Sequence, residues 1–365
     1  MKAGLRIDSE KIDKILIQLL PGIGDTLMFT PALATLRQNF PNAEIDALVM
    51  FRGSYELLET NPHLSRVILW EFLKKGFLEN LKFILQLRKN RYALCLTGYP
   101  ANRLQYNLVN FMVGARWRPT HRYRHLNLRC GGFLNHQVLT ENSQTHNVLE
   151  NLFLLKKIGM GINTKTARLE IYLREEEKKF SDDFIQQSGL KNRMFIGLHA
   201  GCALLKNHLR RRWAPENFAK LASLLKKSLG AEILIFGGKD EEELKETVCR
   251  NMESQGLIIT GTTIRQTTAL IGKCQLFVSN DSGLMHLAAA MGVPTVALFG
   301  PTHPDWVHPY GTAYSIVSLN LSCSPCFYYS PRPLSCPAQR DYECIRTLPV
   351  EKAFHTCLEL LKKVA

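Results

Sequence analysis

Strand-length apolar runs alternate with longer amphipathic segments along most of the chain, and this rhythm constrains the fold more than any other feature. The spacing predicts strands at residues 14–20, 45–50, 66–70 and 92–97, with helices at 26–39, 76–89 and 103–113 between and after them. Strand–helix–strand alternation of this kind builds parallel sheets with helices on both faces. The rhythm fades over residues 116–145, a basic and aromatic stretch, and a helical segment follows at 146–158. Residues 174–193 are charged and read as a surface helix and linker. The rhythm restarts with a strand at 194–199 and a helix at 215–229. It continues through strands at 232–236, 257–260, 275–279 and 295–299, with helices at 240–251, 265–272 and 282–291. A chain of 365 residues exceeds one ordinary core. The expected architecture is therefore two doubly wound α/β domains, 1–185 and 186–365, with a last helix at 350–364 that can cross back onto the first domain.

Composition narrows the class. No apolar run approaches the ~20 residues of a membrane span, and the opening MKAGLRIDSEKIDK lacks the apolar core of a signal peptide. A cytoplasmic location is expected, with the ten cysteines mostly reduced. The net charge of +14 favours polyanionic partners such as nucleic acid, anionic lipid or a phosphorylated glycolipid, or serves solubility alone.

In open α/β sheets ligands bind beyond the carboxyl ends of the strands. Four turns stand there. The first is Leu20-Pro21-Gly22-Ile23-Gly24-Asp25-Thr26, where Gly22 and Gly24 permit a tight turn and close approach of a ligand. Asp25 is either a helix N-cap or a reactive carboxylate. The second is Ser279-Asn280-Asp281-Ser282-Gly283-Leu284-Met285-His286, a strand running into a capped helix. Its exposed N–H groups and helix dipole suit an anion. Ser282 and Gly283 would face phosphate oxygens, and His286 lies one helical turn on. Asp281 repels anions and suits hydroxyls or a cation. The third, Phe299-Gly300-Pro301-Thr302-His303-Pro304, is a turn without evident chemistry. The fourth is His199-Ala200-Gly201-Cys202 with the later run Leu209-Arg210-Arg211-Arg212-Trp213, either a solvated basic loop or a diphosphate clamp.

Taken together, the segments GIGDTLMFTPALATLRQNFPNAEID and SNDSGLMHLAAAMGVPTVALFGPTHP resemble glycosyltransferase family 9, the heptosyltransferases of lipopolysaccharide core assembly. The resemblance implies a GT-B fold, in which two Rossmann-like doubly wound domains face a central cleft. The N-terminal domain would bind the acceptor and the C-terminal domain the nucleotide sugar. It implies an inverting transfer without a required cofactor, typically of heptose from ADP-heptose to a glycolipid. Asp25 stands at the family's proposed general base. Arg211 stands where the family usually has lysine, so a forked guanidinium replaces a point charge. Gly201 and Cys202 replace hydroxyl residues found in some members. Glu241 and Thr262 match positions that contact adenosine, and Asp281, Ser282, Gly283 and His286 match the donor signature.

These readings combine into a direct displacement. Asp25 takes the acceptor proton, while Arg211 and the Ser282–Gly283 terminus neutralise the departing diphosphate. Arg116, Arg118, Arg122 and Arg124 would meet an anionic glycolipid, placing a monomeric enzyme at the cytoplasmic face of the inner membrane. Cys323, Cys326, Cys336 and Cys344 form either a structural zinc site or a packed reduced loop, since only the first pair has C-x₂-C spacing. Two other functions remain open: a sugar-nucleotide epimerase on the same architecture, and a non-enzymatic polyanion binder. No motif for binding nucleic acid is present.

Overall fold

A computed structural model describes residues 7, 12–124, 128–190, 192–203, 205–329 and 333–365. The chain divides into two compact units, one running to Tyr172 and joined by Tyr329, the other starting at Leu173 and holding most of the remainder.

The first unit contains β1 (Lys14–Leu19), α1 (Ile23–Asn39), β2 (Glu44–Val49), α2 (Arg52–Leu58), β3 (Arg66–Leu69), α3 (Phe77–Arg88), β4 (Leu94–Thr97) and α4 (Leu104–Val113). After these come β5 (Pro119–Arg122), β6 (His136–Thr140) and α5 (Asn147–Lys157). The main sheet is parallel, in the order β3-β2-β1-β4. β1 is buried from Ile15 to Leu19, as a central parallel strand covered on both faces must be. Its one polar member, Gln18, is satisfied by the Tyr106 carbonyl at 3.1 Å and by the Thr97 hydroxyl, which donates at 3.4 Å. β2 and β4 flank β1 on opposite sides, so the crevice between β1 and β4 is a topological switch point.

Residues 116–145 depart from expectation. They contain the parallel pair β5–β6, which the fading rhythm left unassigned. Polar residues fill the inward positions there: Thr120 and His121 are buried, and His121 is held by Glu150 at 3.2 Å. Such a strand lacks the apolar signature of a core strand. Residues 125–127 of this stretch lie outside the described residues.

The second unit contains α6 (Glu175–Gln187), β7 (Phe195–His199), α7 (Pro215–Leu229), β8 (Glu232–Ile235), α8 (Glu242–Arg250), β9 (Leu257–Ile258), α9 (Ile264–Ile271) and β10 (Leu276–Asn280). It closes with α10 (Gly283–Ala290), β11 (Thr295–Leu298), α11 (Pro304–Val307), β12 (Tyr314–Val317), α12 (Glu343–Arg346) and α13 (Val350–Val364). Its parallel sheet runs β12-β11-β10-β7-β8-β9. β7 and β10 are neighbours from which the strand order departs in opposite directions, which makes a second switch point.

Two domain expectations need correction. The division falls between Tyr172 and Leu173 rather than at 185, because α6 docks on α9 through the buried pair Glu177–Arg265 at 2.6 Å. The charge of α6 looks like surface in the sequence but is partly spent on that pair. The last helix, α13, belongs to the second unit instead of returning to the first. It packs on α7, β11 and β12, and Ala353, Cys357 and Leu360 join the core around Trp213 and Phe218.

Candidate functional site

The β7–β10 switch point brings two of the sequence-identified turns side by side. Ser279 pairs in register with His199, so the residues after each strand emerge together. Asn280, fully buried, ties the two turns by donating to the Ala200 carbonyl at 2.7 Å and accepting from the Trp213 amide at 3.0 Å. Trp213 anchors the arginine run in the core, and its indole donates to the Leu348 carbonyl at 2.9 Å.

A polar network is built on this frame. His199 lies 2.9 Å from the Ser282 hydroxyl through Nδ1 and 3.0 Å from Glu241 through Nε2. Arg212 donates to the other Glu241 oxygen at 2.8 Å, and the Gly238 amide donates to the carboxylate at 3.0 Å. Burial pushes the Glu241 carboxyl up, but the bond and charge of His199, the Gly238 amide and Arg212 outweigh it and hold the group at about 2. The carboxylate lies so close to Gly201 that any β-carbon there would collide with it. Gly201 is therefore required for the network, whatever it does for a ligand.

Arg211 forms the second half. Its guanidinium donates to Asp281 at 2.7 Å and to the Thr302 hydroxyl at 3.3 Å, above the Phe327 ring. The two charged side chains are only 11% and 10% exposed. Asp281 thus partners a cation, one of its two sequence readings, and Thr302 draws the third turn into the site. Ser282 is the N-cap of α10 and accepts from the Met285 amide at 3.5 Å, while the half-buried Gly283 opens the helix. With its hydroxyl shared among His199, Ser279 and the cap, Ser282 leaves the backbone N–H groups and the helix dipole as the anion-facing elements.

Three polar atoms of this network are buried without a hydrogen-bond partner: Arg211 Nε, Arg212 Nε and His286 Nδ1. Such atoms are rare in folded proteins. Burial also holds the His286 imidazole down at about 4, so it is neutral near pH 7. An unfolded histidine titrates near 6.5. Between those values the unfolded chain binds a proton that the native chain does not. Stability should therefore fall as pH drops from about 6.5 towards 4, by up to about 1.4 kcal/mol per pH unit from this group. Glu241, held low in the native state, adds its own loss only below its unfolded value of about 4.3. Denaturant midpoints measured across the upper window should show the slope, and His286→Asn should flatten it.

The remaining donor expectations divide. Cys202 is buried and donates to the His208 carbonyl at 3.1 Å, a packing role. Thr262 pairs with Thr267 at 2.7 Å just before α9. His199 and Arg212 both fall in the fourth sequence turn, but their joining through Glu241 was not read there, because it depends on β7 lying between β10 and β8.

In the first unit, the turn after β1 corrects one reading. Gly22 is the N-cap of α1, and Asp25 sits in the first helical turn, half-buried and near Tyr106. Gly22 has φ −72°, and a β-carbon there would meet nothing. Neither backbone nor packing demands glycine there. Gly24 lies between Gly22 and Asp25 in the same turn. Of the candidate acceptor residues, Arg116 stacks over Trp117, and Arg118 is spent on Asn135 and the Ala115 carbonyl. Arg122 and Arg124 are exposed.

Comparison with known proteins agrees with this architecture. The chain is 29% identical over 356 residues to lipooligosaccharide heptosyltransferase 2 of Campylobacter jejuni, covering 96% of this chain and 98% of that one. It is 28% identical to lipopolysaccharide heptosyltransferase 2 of Escherichia coli over 84% of this chain and 88% of that protein. The solved structure of E. coli ADP-heptose LPS heptosyltransferase II superposes with a TM-score of 0.71 at 22% identity, covering 96% of this chain and 99% of that one. The fold class is thus GT-B, built from two Rossmann-like units. The model of glycosyltransferase family 9 (heptosyltransferase) matches residues 81–333, and the chain belongs to that family of glycosyltransferases.

Proposed function

We propose that the protein moves a heptose from ADP-heptose onto an anionic core glycolipid, with inversion and with no cofactor beyond the donor. The observation that carries this reading is the β7–β10 switch point. A helix N-terminus, two arginines and three unpartnered buried polar atoms are gathered there, in a unit whose sheet topology suits a nucleotide. The names of the relatives supply the heptose and the lipopolysaccharide. In this reading Gly283 and the first turn of α10 hold the diphosphate, with Arg211 neutralising the charge that grows on it. Glu241 keeps His199 and Arg212 in place. Asp25 of the first unit takes the proton from the attacking acceptor hydroxyl. Family membership favours transfer over the epimerase and polyanion-binder readings.

A thermal-shift panel of ADP, UDP and GDP tests the donor. ADP at about 100 times its Kd should stabilise the fold by about 2.7 kcal/mol. Equal stabilisation by all three nucleotides, or by none, removes the ADP assignment. Incubation with donor alone should yield no epimerised sugar nucleotide.

In this reading a face of the first unit brings the protein to the lipid surface that carries the acceptor. Phe77 and Leu78 on α3 and Leu104, Leu108 and Phe111 on the adjoining α4 are exposed, among the exposed Lys74, Lys75, Lys82 and Lys89. Apolar side chains ringed by cations suit an anionic bilayer. No helix among the described residues is long and apolar enough to cross a membrane. The protein should sediment with phosphatidylglycerol vesicles and not with phosphatidylcholine vesicles. Raising salt from about 0.05 to 0.5 M should release it, and Leu78→Asp should weaken it about tenfold or more. Equal binding to both vesicle types would overturn the assignment.

A further inference from the structure

Outside the nucleotide network, Cys323, Cys326, Cys336 and Cys344 line one small cavity of about 10 Å³, together with Pro301 and Tyr342. These four come from two loop segments and the short helix α12, yet the fold gathers them at one point. None is in a disulfide. That volume is about the room one water-sized sphere needs.

The surrounding backbone is built around them. A turn from Leu321 to Ser324 presents Cys323, and Ser324 bonds the Gly300 carbonyl at 2.5 Å. The Cys326 amide donates to the Pro301 carbonyl at 2.9 Å. Gln339, Asp341 and Tyr342 all take left-handed backbone conformations, which are costly for residues with a β-carbon. Within that bend the Gln339 amide donates to the Cys336 carbonyl at 3.1 Å. Cys344 follows on α12, and its sulfur lies 3.3 Å from where a Gly300 β-carbon would be.

We propose that Cys323, Cys326, Cys336 and Cys344 bind a single zinc ion as a tetrathiolate site. Four sulfurs in tetrahedral array suit zinc, with no open position for catalysis. Among the described residues no set of three or more such side chains is yet disposed to hold a metal. Binding therefore requires the thiols to turn inward to about 2.3 Å from the ion and to release their protons. The ion would brace the Gly300–Pro301 turn, whose next residue, Thr302, supports Arg211.

The full chain, purified under reducing conditions without chelator, should carry about one zinc per chain by elemental mass spectrometry. An organomercurial should release that zinc. Cobalt exchanged into the wild-type chain should show sulfur-to-metal charge transfer and tetrahedral d–d bands. The double variant Cys323→Ser/Cys326→Ser should lose the metal about tenfold or more, whereas Cys249→Ser should keep it. Wild-type zinc below about 0.1 per chain, iron in its place, or a disulfide within the set would overturn the proposal. These readouts involve no nucleotide, so they stand apart from the donor reading.

Discussion

Asp25→Asn is expected to lower kcat by about 10²–10⁴-fold, the usual contribution of a positioned general base, while leaving the fold and ADP affinity nearly intact. The structure is what separates these effects. Had Asp25 been the N-cap of α1, its removal would have cost about 1 kcal/mol of helix stability and confounded any kinetic result. Gly22 occupies the cap instead, with Thr26 donating its amide to the Gly22 carbonyl at 3.0 Å. In the first turn a carboxylate gains only about 0.3–1 kcal/mol from the helix dipole. Stopped assays with saturating donor, paired with denaturation curves, test this. Near-normal turnover in the asparagine variant would leave Asp25 a helix-dipole residue only.

The parts of the fold that were legible are those in which local pattern and tertiary role agree. β1, β7 and β10 are apolar because they are buried on both faces, and α7 and α13 show their amphipathic stripe and begin at or just after proline. The misreadings share a cause: a polar residue used internally. β5 buries a histidine against Glu150, and α6 buries Glu177 against Arg265, so both look like surface in a single sequence. β12 is short and at the sheet edge, with only Val317 fully buried. The site shows the same limit. Turns after strands are visible from residue type, and Arg211, Asp281 and Ser282 fall where the turns predict. That His199 and Arg212 are joined through Glu241 follows only from strand order, which no local window contains.

Arg211 gives the other large effect, and its ion pair decides how to measure it. Arg211→Ala should weaken ADP binding about 10–100-fold, the worth of charge-assisted bonds to phosphate. The same substitution strands Asp281 in a nearly buried position, and an orphaned buried charge costs about 3–5 kcal/mol of stability. A weak binder could then be merely a poorly folded one. Asp281→Asn resolves the ambiguity, because removing a negative charge beside a diphosphate should not harm ADP affinity. In Arg211→Ala/Asp281→Asn the unpaired charge is gone, so stability should recover by most of that cost while ADP affinity stays low. If affinity returns together with stability, Arg211 serves only to hold Asp281. Arg211→Lys adds a graded comparison, since it keeps the charge but loses the second guanidinium nitrogen, which faces His208 Nδ1 at 3.3 Å while the first reaches Asp281 and Thr302. Its ADP affinity should fall between those of the wild type and the alanine variant. The pair with Asp281 also explains how a guanidinium can sit beside Phe327 before any donor arrives. Asp281 keeps the cation in place and partly neutralised, and under the proposed donor reading an arriving diphosphate would compete with it for the same N–H groups. Binding should therefore weaken with added salt less steeply than a bare arginine would give, because one of its charges is already compensated.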